Sequence, residues 1–266
     1  MNRRNLAKIL ESGGIDDADF EATQLISHFA KVSIADAMLC DIDEKLLSDA
    51  VNRRLGGEPL QYILGFWEFY GLPFKVSPAC LIPRSDTEIL CGYLIDKLPQ
   101  NGRFADLCTG SGCIAIAALA NRRDADGVAI ELYRETVEIA KENSEKNGVC
   151  DRLEIICADA TTDCLCGMYD AIVANPPYVT LDEMEGLQKE VTFEPRHALT
   201  DGGNGLSIIE KIIEHSPAHL KENGFIAIEI GYMQGTAVAE IGHRFGLSVE
   251  ILKDTENRDR VAVLRK

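Results

Sequence analysis

From residue 86 onward, apolar runs of strand length alternate with amphipathic stretches of helix length, and this limits the fold more than any other feature. The pattern predicts a helix over 86–97, a strand over 103–107, a helix over 112–120 and a strand over 127–131. A helix over 134–147 and strands over 153–157 and 169–174 follow. Beyond a loop come a helix over 206–219, a strand over 224–230, a helix over 234–245, and strands near 247–252 and 260–265. Repeated βα units call for an α/β fold with a doubly wound, mostly parallel sheet. The last two strands are joined by the short polar loop 253–259, which predicts an antiparallel hairpin at the sheet edge.

The chain before this region reads differently. Up to about residue 55, Ile9, Leu10, Phe20, Leu25, Ile26, Phe29, Leu39, Leu46, Leu47, Val51 and Leu55 recur at three- and four-residue intervals. Ser33 and Asp41 or Asp43 are N-cap candidates, Gly13-Gly14 stops the first helix, and a small helical bundle is expected. Over 60–82, Tyr62-Ile63-Leu64, Phe66 to Tyr70 and Phe74-Lys75-Val76 are separated by Gly65, Gly71 and Pro73. Aromatic and β-branched runs broken by turn residues predict a hairpin linking two domains. The expected division is a helical domain over 1–57, a β-hairpin linker over 58–85 and a catalytic domain over 86–266.

Composition narrows the function. Hydrophobic residues make up 46% and charged residues 26%, enough for a sizeable core and unlike a disordered chain. No apolar run approaches the length of a membrane span, and the N-terminus lacks the apolar core of a signal peptide. The nine cysteines are odd in number, so reduced thiols in a cytoplasmic setting are expected. Cys164 and Cys166 are the closest pair, but no second pair or nearby His completes a zinc pattern, so no metal is expected. A net charge of −16 counts against an enzyme of duplex nucleic acid, which is usually met by a basic stripe.

The chemistry gathers at predicted strand ends. Asn175-Pro176-Pro177-Tyr178 follows the strand ending at Ala174, and two prolines cannot continue a sheet ladder. An amide, two conformationally locked carbonyls and an aromatic ring therefore sit at a strand's C-terminal edge, where ligands bind in open α/β sheets. A packed Pro-Pro turn would use the same residues. Asp106 to Cys113 carries glycines at a strand-to-helix turn, which let backbone approach a ligand and leave helix N–H groups free. The next strand ends at Glu131, where a carboxylate can accept from both hydroxyls of a ribose. The one after ends at Asp159, placed to meet an adenine amino group.

The order and spacing of these strand ends resemble class I S-adenosylmethionine-dependent methyltransferases, which implies a Rossmann-like, seven-stranded sheet. Outside that core, Glu58 to Gly65, Gly71 to Val76 and Leu81-Ile82-Pro83-Arg84 are similar to the linker of release-factor glutamine methyltransferases, the PrmC/HemK family. Phe193 to Leu199, Gly202 to Leu206 and Glu229-Ile230-Gly231 fit the same family. The resemblance covers nearly the whole chain, though the helical domain matches by architecture more than by motif. It implies methylation of the glutamine in the Gly-Gly-Gln motif of class I peptide chain release factors, with S-adenosylmethionine as donor and no direct nucleic-acid or membrane partner.

Carried over by position, the cofactor loop is Cys108, Thr109, Gly110, Ser111 and Gly112, with Glu131 on the ribose and Asp159 and Ala160 beside the adenine. Asn175 borders cofactor and substrate, and Asn175 to Tyr178 hold the glutamine side chain. Asn175, Pro176 and Tyr178 are the expected catalytic residues, with Arg84 and Glu194 supporting the substrate loop and His197 taken as structural. Three positions depart from the family pattern: Cys108 stands for Gly, Glu131 for the commoner Asp, and Ala160 for an aromatic residue. DNA adenine and RNA base methyltransferases present similar tetrapeptides, and a flipped base would call for a basic channel that the sequence does not display. A nicotinamide dehydrogenase could use Gly110 to Ala115 as its loop but leaves the tetrapeptide unexplained. A non-catalytic binding module finds support only in Cys108 and Ala160.

Overall fold

Side-chain caps set the starts of several N-terminal helices. The Asn2 side chain accepts from Asn5 N–H at 3.0 Å and begins α1 (Arg3–Ser12). After α2 (Ala18–Ala30), Ser33 caps α3 (Ile34–Ala37) and Asp43 caps α4 (Glu44–Leu55), as their residue types predict. A fifth helix, α5 (Leu60–Leu64), stands where Tyr62-Ile63-Leu64 suggested a β-run. Pro59 is preset for a helix start, Gly65 closes the turn at φ 75°, and four of the five residues are buried. Leu6, Leu10, Leu25, Ile26 and Leu47 form the core of the bundle, whereas Phe20, Leu39 and Leu46 are exposed despite sharing its periodicity.

The computed structural model describes every residue from Met1 to Lys266. Contacts divide the chain into two units, Met1–Phe66 with Gln188–Phe193, and Trp67–Leu187 with Glu194–Lys266. The short segment joins the helices through charge. Arg54, buried with Glu21 by bonds of 2.6 and 3.0 Å, reaches Glu190 at 3.1 Å. Glu190 lies in a 3₁₀ turn over Lys189–Phe193.

The hairpin expected near 60–82 is shorter, with β1 (Phe66–Phe69) and β2 (Leu72–Lys75). Tyr70 and Gly71 between them both have positive φ, 51° and 72°, as a two-residue type I′ turn requires. Next come α6 (Thr87–Lys97), β3 (Arg103–Leu107), α7 (Cys113–Asn121), β4 (Asp126–Glu131), α8 (Arg134–Lys146), β5 (Leu153–Cys157) and β6 (Tyr169–Ala174). Two one-turn helices, α9 (Leu181–Met184) and α10 (Arg196–Leu199), occupy the loop after β6. The chain ends with α11 (Ser207–His215), β7 (Leu220–Glu229), α12 (Gly235–Arg244), β8 (Ser248–Lys253) and β9 (Asp259–Arg265). The helix expected over 206–219 breaks at Ser216 into a 3₁₀ turn, because Pro217 has no N–H for the α-helical ladder.

The seven-stranded sheet runs β5-β4-β3-β6-β7-β9-β8, parallel except for the pairs made by β9. Side chains of β7 alternate between its faces. Phe225 and Ala227 join the core of α6 and α7, while Ile226 and Ile228 join that of α11 and α12. Each fully buried Ile or Leu in these layers contributes about 1.5–3 kcal/mol. Strand order reverses at β3, which has β4 on one side and β6 on the other. Loops leaving β3 and β6 diverge there, and a crevice opens beyond the strand ends.

Candidate active site

Register brings the predicted strand ends to one level. Leu107, the last residue of β3, pairs with Ile130 on one side and Ala174 on the other. The loop from Cys108, the Glu131 carboxylate and Asn175 therefore open on one crevice. Their walls enclose a cavity of about 660 Å³, a size suited to a small-molecule ligand. Cys108, Thr109, Gly110, Ser111, Glu131, Asp159, Ala160, Asn175, Pro177 and Arg84 line it. Gly112, Pro176, Tyr178 and Glu194 are not among the lining residues.

The loop after β3 is held from below and from the side. Thr109 Oγ1 donates to Asp106 Oδ2 at 2.5 Å, and Thr109 N–H reaches Ile130 O at 3.0 Å. Glu131 accepts Gly110 N–H on Oε2 and Tyr133 N–H on Oε1, both at 3.0 Å. The buried Asn143 side chain on α8 donates to Ser111 O at 2.9 Å and to Lys75 O at 3.1 Å. Cys108, Gly110 and Gly112 all have positive φ, 58°, 56° and 82°. At Gly112 a Cβ would also come within 2.8 Å of Ile116 Cδ1. The departure from Gly at Cys108 thus carries backbone strain, since only glycine enters this region without a steric cost.

Burial dominates the electrostatics. It pushes the Asp106 carboxyl up to about 7, against the Thr109 hydroxyl and Ala115 N–H that favour the anion. Glu131 is raised for the same reason, with N–H groups of Tyr133, Gly110 and Leu132 opposing. The Cys108 thiol is driven far up by burial and then by the charges of Glu131 and Asp106, so it stays a neutral wall group. Asp159 turns Oδ1 to Thr161, accepting its N–H at 2.8 Å and its hydroxyl at 2.6 Å.

The tetrapeptide is anchored at both ends. Asn175 Nδ2 donates to Thr87 Oγ1 at 3.2 Å, and Tyr178 OH donates to Glu229 Oε1 at 3.0 Å. Gln234 Nε2 holds Tyr178 O at 2.9 Å, and a Cβ on Gly205 would stand 1.9 Å from that same oxygen. Burial pushes Glu229 up, opposed by the Thr87 and Tyr178 hydroxyls and by the Arg260 charge. Arg84 and Glu194 form an ion pair, and Glu194 Oε2 also accepts Ile82 N–H at 2.9 Å. His197 stacks on Tyr133 at 3.6 Å between ring centroids, both rings lining the cavity, and burial lowers its pKa.

Comparison with known proteins gives this arrangement a family. Residues 3–65 match the PrmC N-terminal domain and residues 85–206 match the methyltransferase small domain. The chain is 35% identical to a release factor glutamine methyltransferase of Nitratidesulfovibrio vulgaris, covering 99% of this chain and 93% of that one. A second, from Neisseria gonorrhoeae, is 40% identical over 80% of this chain and 78% of its own. The chain belongs to the release factor glutamine methyltransferase family. Among solved structures, the hMettl16 catalytic domain in complex with MAT2A 3′UTR hairpin 1 aligns at a TM-score of 0.62 and 19% identity, covering 74% of this chain and 76% of that one. A methyltransferase from Pyrococcus furiosus aligns at 0.58 and 19%, covering 82% and 98%. At such identities the likeness shows the class I methyltransferase fold alone.

The family's methyl donor is S-adenosylmethionine, and the cavity's chemistry fits it. Glu131 brings a carboxylate to the wall, three positive-φ residues turn the loop backbone around it, and the buried Ser111 Oγ has only the Cys113 thiol beside it. A positively charged, hydroxyl-rich ligand suits such a wall. No helix of the chain is long and apolar enough to cross a membrane. Sequence reasoning did not find Thr87, Tyr133 or Gln234, and gave Glu229 no role. Of these, Tyr133 carried a local signal, since it lies two residues beyond the predicted strand end at Glu131.

Proposed function

We propose that this chain transfers a methyl group from S-adenosylmethionine to the side-chain amide nitrogen (N5) of the glutamine in the Gly-Gly-Gln motif of class I peptide chain release factors. The observation that carries this reading is that Asn175 shares one cavity wall with Glu131 and the loop from Cys108, within a chain that matches the family nearly end to end. S-adenosylmethionine supplies a methyl group already activated on a sulfonium.

The protein's task is to present the nucleophile. A carboxamide nitrogen is weak because its lone pair is delocalised into the carbonyl. Asn175 Oδ1 and the Pro176 carbonyl accept the two N–H bonds of the substrate amide, which turns the nitrogen toward the methyl group. As positive charge develops on nitrogen, both acceptors bind it more strongly, so they favour the transition state over the ground state. Glu131 receives the ribose hydroxyls, and Asp159 and Ala160 border the base. Pro177 and Tyr178 shape the wall behind the amide, and Arg84 with Glu194 supports the loop that follows.

Residues 1–57 serve to dock the release factor, residues 58–85 link, and residues 86–266 carry the chemistry. The enzyme works in the cytoplasm, where its substrate meets the ribosome. The net charge of −16 supports a protein substrate over a nucleic-acid one. The test is label transfer from S-adenosylmethionine to a release factor, beside a version in which Gly-Gly-Gln is Gly-Gly-Ala. Label on the first alone supports the reading; label on both or on neither refutes it.

A further inference from the structure

We infer that Thr87 and Glu229 are positioning residues that fix the orientation of the Asn175 side-chain amide, so that its oxygen faces the substrate. The inference rests on the methyl-transfer reading and names the groups behind it. An asparagine amide is nearly symmetric in shape but opposite in chemistry at its two ends. Turned one way it accepts the substrate's N–H groups. Turned the other, it meets them with N–H groups of its own.

Three elements meet at this point: the start of α6, the loop after β6 and the end of β7. Thr87, 2% exposed, takes the Asn175 Nδ2–H on its hydroxyl oxygen at 3.2 Å. A hydroxyl has a single proton to give, and here it has a ready acceptor, since Thr87 lies against the Glu229 carboxylate and favours its charged form. Glu229, 1% exposed, also accepts the Tyr178 hydroxyl on Oε1 at 3.0 Å, and its buried Oε2 has no hydrogen-bond partner. A carboxylate at the end of this chain of groups only accepts. Thr87 must then donate to it and accept from Asn175, and Asn175 Oδ1 is left for the cavity. The same carboxylate holds the tyrosine of the tetrapeptide, so both ends of Asn175–Tyr178 depend on it.

The position of Thr87 is itself fixed. Asp86, the residue before it, meets Arg260 Nη2 at 3.1 Å, and that nitrogen also reaches Asp254 at 3.1 Å. Arg260 is buried and its charge stabilises the Glu229 anion, which would otherwise be costly so far from water. Their common effect is to give Asn175 one hydrogen-bonding polarity.

The test compares Thr87→Val, which keeps the shape and removes the hydroxyl, with Thr87→Ser, which keeps the hydroxyl. Glu229→Gln is the second route, because a carboxamide both donates and accepts and no longer dictates direction. The expected result for Thr87→Val is a kcat for release-factor methylation reduced about tenfold or more, with KM within about threefold, as loss of a transition-state contact produces. Thr87→Ser restores most of the rate, and Glu229→Gln lowers kcat in the same sense as Thr87→Val. A second readout needs no turnover. The side-chain amide ¹H–¹⁵N signals of Asn175, assigned by their absence in Asn175→Ala, shift or broaden in Thr87→Val and return toward wild type in Thr87→Ser. Wild-type kcat in Thr87→Val, or an Asn175 amide signal unmoved by it, overturns the inference. Failure of wild type to label the release factor at all would instead overturn the substrate reading, and the amide signals would still judge the positioning.

Discussion

Replacing Asp106 by Asn should remove a specific part of the pH dependence of stability. Asp106, one residue before the end of β3, is fully buried and has an ordinary carboxyl value of 3.8 that burial pushes up to about 7 in the folded chain. Between those values the folded state keeps a proton that the unfolded state has lost, so stability falls as pH rises. The full shift of roughly three units corresponds to about 4 kcal/mol, and the part falling between about pH 5 and pH 8 is about 2.5 kcal/mol. Below the unfolded value both states are protonated and the effect vanishes. Asn keeps an acceptor for the Thr109 hydroxyl and Ala115 N–H, but it cannot ionise. Oδ1 of Asp106 has no partner, so an amide nitrogen placed there carries a penalty that does not change with pH. The slope is therefore the readout, not the offset. Urea unfolding followed by fluorescence of Trp67, the single tryptophan and a member of the same unit, reports it. Asn at 106 should gain about 2.5 kcal/mol on wild type as pH rises from about 5 to 8. Parallel pH curves would show that Asp106 does not hold its proton and refute the reasoning.

Asn175→Ala should lower methyl transfer by more than about a hundredfold while S-adenosylmethionine still binds within a few-fold by calorimetry; near-full turnover would remove Asn175 from the chemistry. Glu131→Gln should weaken S-adenosylmethionine binding by about ten- to a hundredfold, because a charged acceptor of two hydroxyls becomes a neutral one; unchanged affinity in titration calorimetry would contradict the ribose assignment. Cys108→Gly should be tolerated: relief of about 1 kcal/mol of left-handed strain is nearly offset by the greater freedom of glycine in the unfolded chain. Its melting temperature should move by only a few degrees and cofactor affinity should hold or rise; much weaker binding would give the thiol a positive role.

Local pattern carried most of the catalytic unit. The strands at 103–107, 153–157 and 169–174 fall where the apolar runs place them, because each run ends where turn chemistry begins. The cofactor-loop residues and Asn175 were legible for the same reason, since each lies at or just past a strand end. Tyr62-Ile63-Leu64 misled because a short apolar run is equally at home in a buried helix, and Pro59 and Gly65 decided the matter. What the sequence hid is mostly long-range. Thr87 meets Asn175 across 88 residues, Tyr178 meets Glu229 across 51, and Arg54 meets Glu190 across 136, distances over which no periodicity speaks. The 3₁₀ turn at Lys189–Phe193 belongs with the helical unit across a comparable separation.

The central claim is that the cavity beside Asn175 methylates a glutamine amide. Fragmentation mass spectrometry of a release factor after incubation with the protein and S-adenosylmethionine tests it most directly. One added methyl is expected, located on the side-chain nitrogen of the glutamine in Gly-Gly-Gln and absent with Asn175→Ala. A methyl on any other residue, or one still delivered to that glutamine by Asn175→Ala, would contradict it.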